Sequence, residues 1–426
     1  MRPLRYFEHL DTLRFFAFFS VFVLHVTFFG TYYNGEPWFV FIKDSLVQNG
    51  DLGVNFFFTL SGFLITNLLL QEREDTGKIN ILKFYARRFL RIWPLYFMLV
   101  FVGFIVLPAI LSFKPDANPF KPEFSYIPYS EIGYFLSFLV NFDLIYNTYP
   151  SPVLGVLWSI SVEEQFYIFW PLLIALVPRR FLVYSLIGVA LGTAFFRFMQ
   201  WNDIVHFYNA NQLGDSKVSH SPEVQNQFYM MTSHAISVIR FHTFSILSDI
   251  TMGALLAYGL FYYESVRNYF KKLPRKSIVL PYIAAVVLVI IRDETHSIQF
   301  YPIMNWVEAI EPALFSFIFA FIIGEQHYSD ESFFKFGKLK VLSRWGKYSY
   351  GLYIWHIFVI WCVFFAFRAL GIQPIVDNKW VFLLQIILCL ALTIAMSAFS
   401  YRFIEGPFLK FSHRFRSKGT EMKHEI

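Results

Sequence analysis

His25 sits in the apolar run Phe22-Val23-Leu24-His25-Val26, and Arg14 lies eleven residues before it. Eleven helical steps of about 100° bring both side chains to one face, with a rise of about 16 Å between them. A cationic anchor near one surface and an imidazole near mid-membrane then point into one groove. That layout suits a ligand with a phosphorylated head and a long thin arm. Taken singly, Arg14 also reads as a snorkelling interfacial arginine, and His25 as an interhelical hydrogen-bond partner.

A second cluster is Phe84-Tyr85-Ala86-Arg87-Arg88-Phe89-Leu90-Arg91-Ile92-Trp93-Pro94. Arg88 and Arg91, three apart, share a helix face. Paired guanidinium groups hold phosphate by bidentate hydrogen bonds, although inner-surface topology alone also places arginines here. The third is Trp158-Ser159-Ile160-Ser161-Val162-Glu163-Glu164-Gln165-Phe166-Tyr167. A carboxylate of Glu163 or Glu164 could orient a histidine or accept a proton. The competing reading is an acidic cap near a helix N-terminus. Further candidates are His356, Asp249 and Arg240, with His234 and His242 beside the last; each alone reads as a structural partner. No Walker A loop, G-x-G-x-x-G, H-E-x-x-H or G-x-S-x-G motif competes.

The elements that hold these residues follow from composition. Of 426 residues, 56% are hydrophobic and 15% charged, against about 25% charged in soluble domains. This excludes a disordered or disulfide-stapled chain and points to an integral membrane protein. The net charge of +6 fits basic inner loops better than a nucleic-acid partner. Cys362 and Cys389 lie in apolar runs without metal-ligand spacing and read as core residues. Arg2 and Arg5 precede the first apolar run, but no A-x-A-like site follows it, so a retained span is expected.

Ten apolar stretches are expected to span: 12–30, 52–70, 92–112, 155–177, 181–199, 235–260, 278–291, 307–324, 349–367 and 380–404. With the N-terminus inside, inner loops carry 25 Lys and Arg and outer loops 7. This split predicts an all-α polytopic bundle of about ten transmembrane helices with both termini cytoplasmic. The segment 132–147, broken by Asn141, Asp143 and Asn147, is expected to be re-entrant or interfacial. The stretch 200–234 is read as a long outer loop, too short for an independent core.

Together these motifs resemble the acyltransferase-3 family of membrane O-acyltransferases over nearly the whole chain. Arg14 to His25 looks like its R-x10-H motif, and Leu52-Gly53 through Ser61-Gly62-Phe63-Leu64-Ile65 like its second-span signature. Arg88-x-x-Arg91 with Pro94 is similar to its R-x-x-R motif. Ser159 through Glu163 to Tyr167 and Pro171 looks like its S-x-x-x-E-x-x-F-Y motif. Ser349-Tyr350 to His356 and Phe403-Ile404-Glu405-Gly406-Pro407 fit its C-terminal pattern. The resemblance implies residues 1–410 as the transmembrane acyltransferase domain, with 411–426 a short basic cytoplasmic tail. It implies transfer of an acyl group, usually acetyl, from cytoplasmic acyl-CoA to a hydroxyl of an extracytoplasmic or cell-surface carbohydrate or glycolipid, such as lipopolysaccharide. It implies a multi-pass protein of a bacterial cytoplasmic (inner) membrane. The extracytoplasmic hydrolase-like domain of some members is expected to be lacking, which raises a separate partner protein.

On this reading His25 is general base or transient acyl acceptor. Arg14, Arg88 and Arg91 bind the CoA phosphates, and Glu163, with Glu164 beside it, orients or accepts protons on the outer side. Acyl-CoA is the donor and no metal is expected. The rival classes are a proton-coupled secondary transporter, which should show paired repeats with matching Gly/Pro breaks, and a non-enzymatic export partner, which would tolerate loss of His25.

Overall fold

In hydrocarbon every backbone amide needs a partner within its own segment or a closed barrel. The computed structural model answers with helices. It describes residues 8–29, 48–118, 129–147, 152–213, 221–295, 303–372 and 379–415, among which no strand occurs. The principal helices are α1 (Glu8–Phe29), α2 (Leu52–Thr76), α3 (Ile81–Phe113), α4 (Leu157–Leu176), α5 (Arg179–Ala210), α6 (Pro222–Phe241), α7 (Thr243–Tyr262), α8 (Arg275–Thr295), α9 (Met304–Tyr328), α10 (Ser349–Ala369) and α11 (Lys379–Ser400).

Among the described residues, eight helices are long and apolar enough to cross a membrane, with α6 and α7 counting as one. A ninth appears only if α8 joins Glu264–Lys271 across a 91° bend. Two of the ten expected stretches lie outside these eight. The weakly apolar stretch 278–291 is the straight part of that bent pair. The stretch 155–177 forms a helix, α4, in which polar residues interrupt the apolar run. The reason is packing. Ser159, Ser161 and Glu164 of α4 are buried against protein, so this helix takes polar partners from its neighbours rather than matching lipid.

The expected outer loop 200–234 is also largely helical. α5 has 32 residues, and α6 with α7 runs for 41, about 48 and 62 Å at 1.5 Å per residue. Both exceed a hydrocarbon core of about 30 Å. Trp201, Ile204 and Val205 of α5 pack with Ala235 of α6 and Met304 of α9, giving this projection its own small apolar core.

Close approach of backbones fixes the centre. A Cβ on Gly62 of α2 would lie 1.9 Å from Ile250 O of α7, and one on Gly253 of α7 would lie 1.8 Å from Thr59 O of α2. Beside this crossing Asp249 of α7 accepts from Asn55 Nδ2 of α2 at 3.0 Å and from the Ser316 hydroxyl of α9. Arg197 of α5 is buried within electrostatic reach of Asp249. At the N-terminal end of α2, Arg292 of α8 pairs with Asp51 at 2.9 Å and with Glu311 of α9 at 2.9 Å.

Segment 132–147 folds as two helical turns, Ile132–Leu136 and Val140–Tyr146, too short to cross. They are joined at Phe138, whose φ of 56° is uncommon for a side chain of its size. Gln165 of α4 secures this turn. Its Nε2 donates to Phe138 O at 2.8 Å and Asn141 Oδ1 at 2.9 Å, while its Oε1 accepts from Thr243 Oγ1 at 2.5 Å. Of the expected tail, Phe411–Phe415 is described and held by Arg87 Nη1 donating to Phe415 O at 2.8 Å. Residues 416–426 lie outside the described residues. Cys362 and Cys389 are free thiols.

Two predictions follow from the packing. Gly253→Ala forces the α2 and α7 backbones apart and lowers stability by about 3 kcal/mol or more, read as a drop in melting temperature of the detergent-solubilised chain. Gln165→Leu keeps the volume but strands the Phe138 carbonyl, the Asn141 carbonyl and the Thr243 hydroxyl. It lowers stability by about 2–4 kcal/mol, with Gln165→Ala no better.

Candidate active site

His25 lies near the C-terminal end of α1, four residues before Phe29. The helix begins at Glu8, four residues before the start expected from sequence. His25 Nδ1 is 2.9 Å from Val21 O, one turn back, and 3.2 Å from Nε2 of His356 on α10. The two rings lie 5.1 Å apart. His356 is fully buried, edge-on to Phe18 of α1, with its Nδ1 2.6 Å from Tyr353 O. The Tyr353 ring sits 5.6 Å from the His356 ring, and its hydroxyl accepts from Ser159 Oγ of α4 at 2.8 Å. Arg240, exposed at the C-terminal end of α6, lies within electrostatic reach of His25, Asp51 and Tyr353.

A second group gathers where α2, α3 and α4 meet. Glu163 Oε1 accepts from Ser61 Oγ of α2 at 2.7 Å, and its Oε2 from the Tyr167 hydroxyl at 3.4 Å. Arg88 and Arg91 of α3 lie within electrostatic reach of Glu163. The Arg88 guanidinium stands 5.5 Å from the Phe84 ring and 5.7 Å from the Tyr167 ring, while its Nε has no hydrogen-bond partner among the described residues. Arg91 is exposed and also acts on Glu405, which accepts from Ser400 Oγ at 3.3 Å. Glu164, one residue round the helix, is turned to α3, where Trp93 Nε1 donates to its Oε2 at 3.1 Å. Its Oε1 is buried without a hydrogen-bond partner among the described residues.

The expected residues are thus sorted into two poles. His25 and His356 form one, with Arg240 beside it. Glu163, Arg88 and Arg91 form the other. Glu163 is held by Ser61 and Tyr167, and it also acts electrostatically on Tyr353, whose ring adjoins His356. The six-residue distance of Glu163 from the start of α4 places it level with Ser61, ten residues into α2, and within reach of the arginines. The group in contact with His25 is another histidine. Arg14 does not stand alone: its Nη1 pairs with Asp11 Oδ1 at 2.5 Å. Asp249 serves the helix crossing described above. His242 is wedged against the rings of Phe142 and Phe196 and accepts from Phe244 N at 3.2 Å as a helix cap. The Tyr146 ring lies 6.2 Å from that of His234.

Sequence reasoning missed Ser61, Tyr167, Trp93, Ser159 and Tyr353 as partners. Ser61 carried a signal, a small polar residue beside a glycine in an apolar span. Tyr353 carried little, since tyrosines abound in this chain. Chemically, one pole offers an imidazole pair for proton transfer, and the other offers guanidinium groups and a carboxylate.

A family model described as an acyltransferase domain matches residues 7–402. The O-acetyltransferase OatA of Staphylococcus aureus (strain NCTC 8325 / PS 47) is 28% identical over 421 residues, 95% of this chain and 58% of the relative. A putative O-acetyltransferase of Staphylococcus aureus strain COL is 29% identical over 425 residues, 96% of this chain and 58% of the relative. The chain therefore spans under two thirds of the length of these relatives. No solved structure matches it. Through a match that runs across both poles and nearly every helix, the chain belongs to the acyltransferase-3 family.

Proposed function

We propose that this protein is a membrane O-acetyltransferase that moves an acetyl group from acyl-CoA, supplied on the inner side, to a carbohydrate hydroxyl on the outer side. Family membership and relatives named O-acetyltransferases support the reaction class. The observation that carries the chemistry is the imidazole of His25, paired with a second imidazole inside the bundle. In this reading the inner pole of Arg88 and Arg91 takes the CoA phosphates. Arg14, neutralised by Asp11, contributes at most a weaker anchor. The pantetheine arm then rises past Glu163 and Ser61 toward Tyr353 and the histidines. His25 takes the proton of the acceptor hydroxyl as its oxygen attacks the thioester carbonyl. A surface polysaccharide or glycolipid of a bacterial cytoplasmic membrane fits the donor side and the basic inner loops, with both termini inside. A separate extracytoplasmic partner receiving the acetyl group belongs to the same reading.

The test is transfer of label from acetyl-CoA to surface glycan in membranes carrying the protein. His25→Ala abolishes transfer at equal protein level, and release of free CoA thiol falls with it. Arg88→Ala and Arg91→Ala raise KM for acetyl-CoA by roughly tenfold each, with kcat changed less, as expected for ground-state phosphate contacts. In sealed vesicles, label passes to glycan only when acetyl-CoA faces the inner side. Transport of glycan without thiol release would show a carrier and overturn the reading.

A further inference from the structure

The close contacts of the two imidazoles decide where their protons sit. Val21 O lies 2.9 Å from His25 Nδ1, and Tyr353 O lies 2.6 Å from His356 Nδ1. A carbonyl oxygen only accepts, so the nitrogen facing each one carries the hydrogen. In a neutral ring the other nitrogen is then bare. His356 Nε2 is therefore a lone pair, and it lies 3.2 Å from the N–H at His25 Nδ1. This assignment gives every close contact a proton, whereas the reverse sets ring lone pairs against two carbonyl oxygens. His25 Nδ1–H is shared between Val21 O and His356 Nε2. His25 Nε2 is left bare, as a base requires.

The surroundings hold this arrangement. His356 has no exposed surface, and Phe18 closes one edge of its ring. Its carbonyl partner belongs to Tyr353, whose hydroxyl is engaged by Ser159. Glu163 cannot take the part, since its two oxygens are turned to Ser61 and Tyr167.

Building on the reading of His25 as the base, we propose that His356 is its positioning residue: it accepts the His25 Nδ1–H, fixes the tautomer with Nε2 free, and shares the charge when His25 is protonated. In the step itself the acceptor O–H breaks and its proton passes to His25 Nε2. The oxygen bonds to the thioester carbonyl carbon, and the C–S bond then breaks. The CoA sulfur leaves as thiolate and takes the proton back from His25. His356 touches neither substrate. Its hydrogen bond strengthens when His25 carries charge, so it acts on turnover rather than on donor binding.

The experiment compares the full chain in lipid nanodiscs with His25→Ala, His356→Gln, His356→Asn and His356→Phe, measuring acetyl transfer and thiol release across acetyl-CoA concentrations. The glutamine carbonyl reaches the place of the ring Nε2 and accepts the same bond. Asparagine falls short of it, and phenylalanine fills the volume without a lone pair. Phe and Asn should lower kcat roughly 10- to 100-fold, the size of one lost bond to a charged group, with KM for acetyl-CoA little changed. The Gln variant should keep most of the wild-type kcat. Should the Phe variant fail to fold, the contrast of Gln with Asn decides. Wild-type kcat in all three variants, or a Gln variant as slow as Phe, overturns the proposal while an inactive His25→Ala leaves the function standing. Full activity in His25→Ala removes both.

Discussion

At Gly62 and Gly253 two helix backbones touch with no side chain between them. The position of both poles depends on that contact. Ser61 is the residue beside Gly62, so pressing α2 onto α7 aims its hydroxyl at Glu163 of α4. About two and a half turns earlier, Gly53 admits the backbone of α1 at Ala17, where a Cβ would lie 2.3 Å from the carbonyl oxygen. α1 then carries His25 to α10. A single stack of close approaches thus links α7, α2 and α1, and the histidine is the last piece set by it. Small residues at helix contacts serve this purpose in lipid, where apolar surfaces gain little by leaving one another's company.

Adjacent carboxyl groups inside an apolar bundle pose a problem that the helix solves by rotation. Glu163 and Glu164 differ by about 100° around the axis, so one meets α2 and the other meets α3. Each has a donor of its own, and the Arg88 guanidinium acts on both carboxyl groups while Arg91 acts on Glu163. The same logic explains why α4 tolerates so many polar residues. Ser159, Glu163, Glu164 and Gln165 each bind a different neighbour. The helix acts as a hub that ties α2, α3, α10 and the turn at Phe138 together, and mean hydropathy is a poor guide to such an element.

Much of this was legible in the sequence because charge inside an apolar run is anomalous. His25, Arg88, Glu163, His356 and Asp249 all stand out for that reason, and all prove to sit among specific partners. The helical character followed from run length alone. What the sequence withheld was pairing across distance. His25 and His356 are separated by 331 residues, and no local pattern says that α1 and α10 are neighbours. The same holds for Glu163 of α4 and Ser61 of α2, which are 102 residues apart. The stretch 200–234 was read as a loop because polar composition describes a helix standing in water as well as it describes a coil.

The helices differ in length in a way that separates chemistry from scaffold. α1 and α10, which carry the histidine pair, have 22 and 21 residues, about 32 Å each and close to the thickness of a bilayer. α5 and the joined α6 and α7 greatly overshoot it. A tall helix meets a thicker or thinner bilayer simply by immersing more or less of its length, but a helix of matched length must tilt. Changes of lipid chain length therefore bear on α1 and α10 before they bear on the rest. The acyl composition of the membrane becomes a tuning variable for the imidazole contact, while the bundle stays intact.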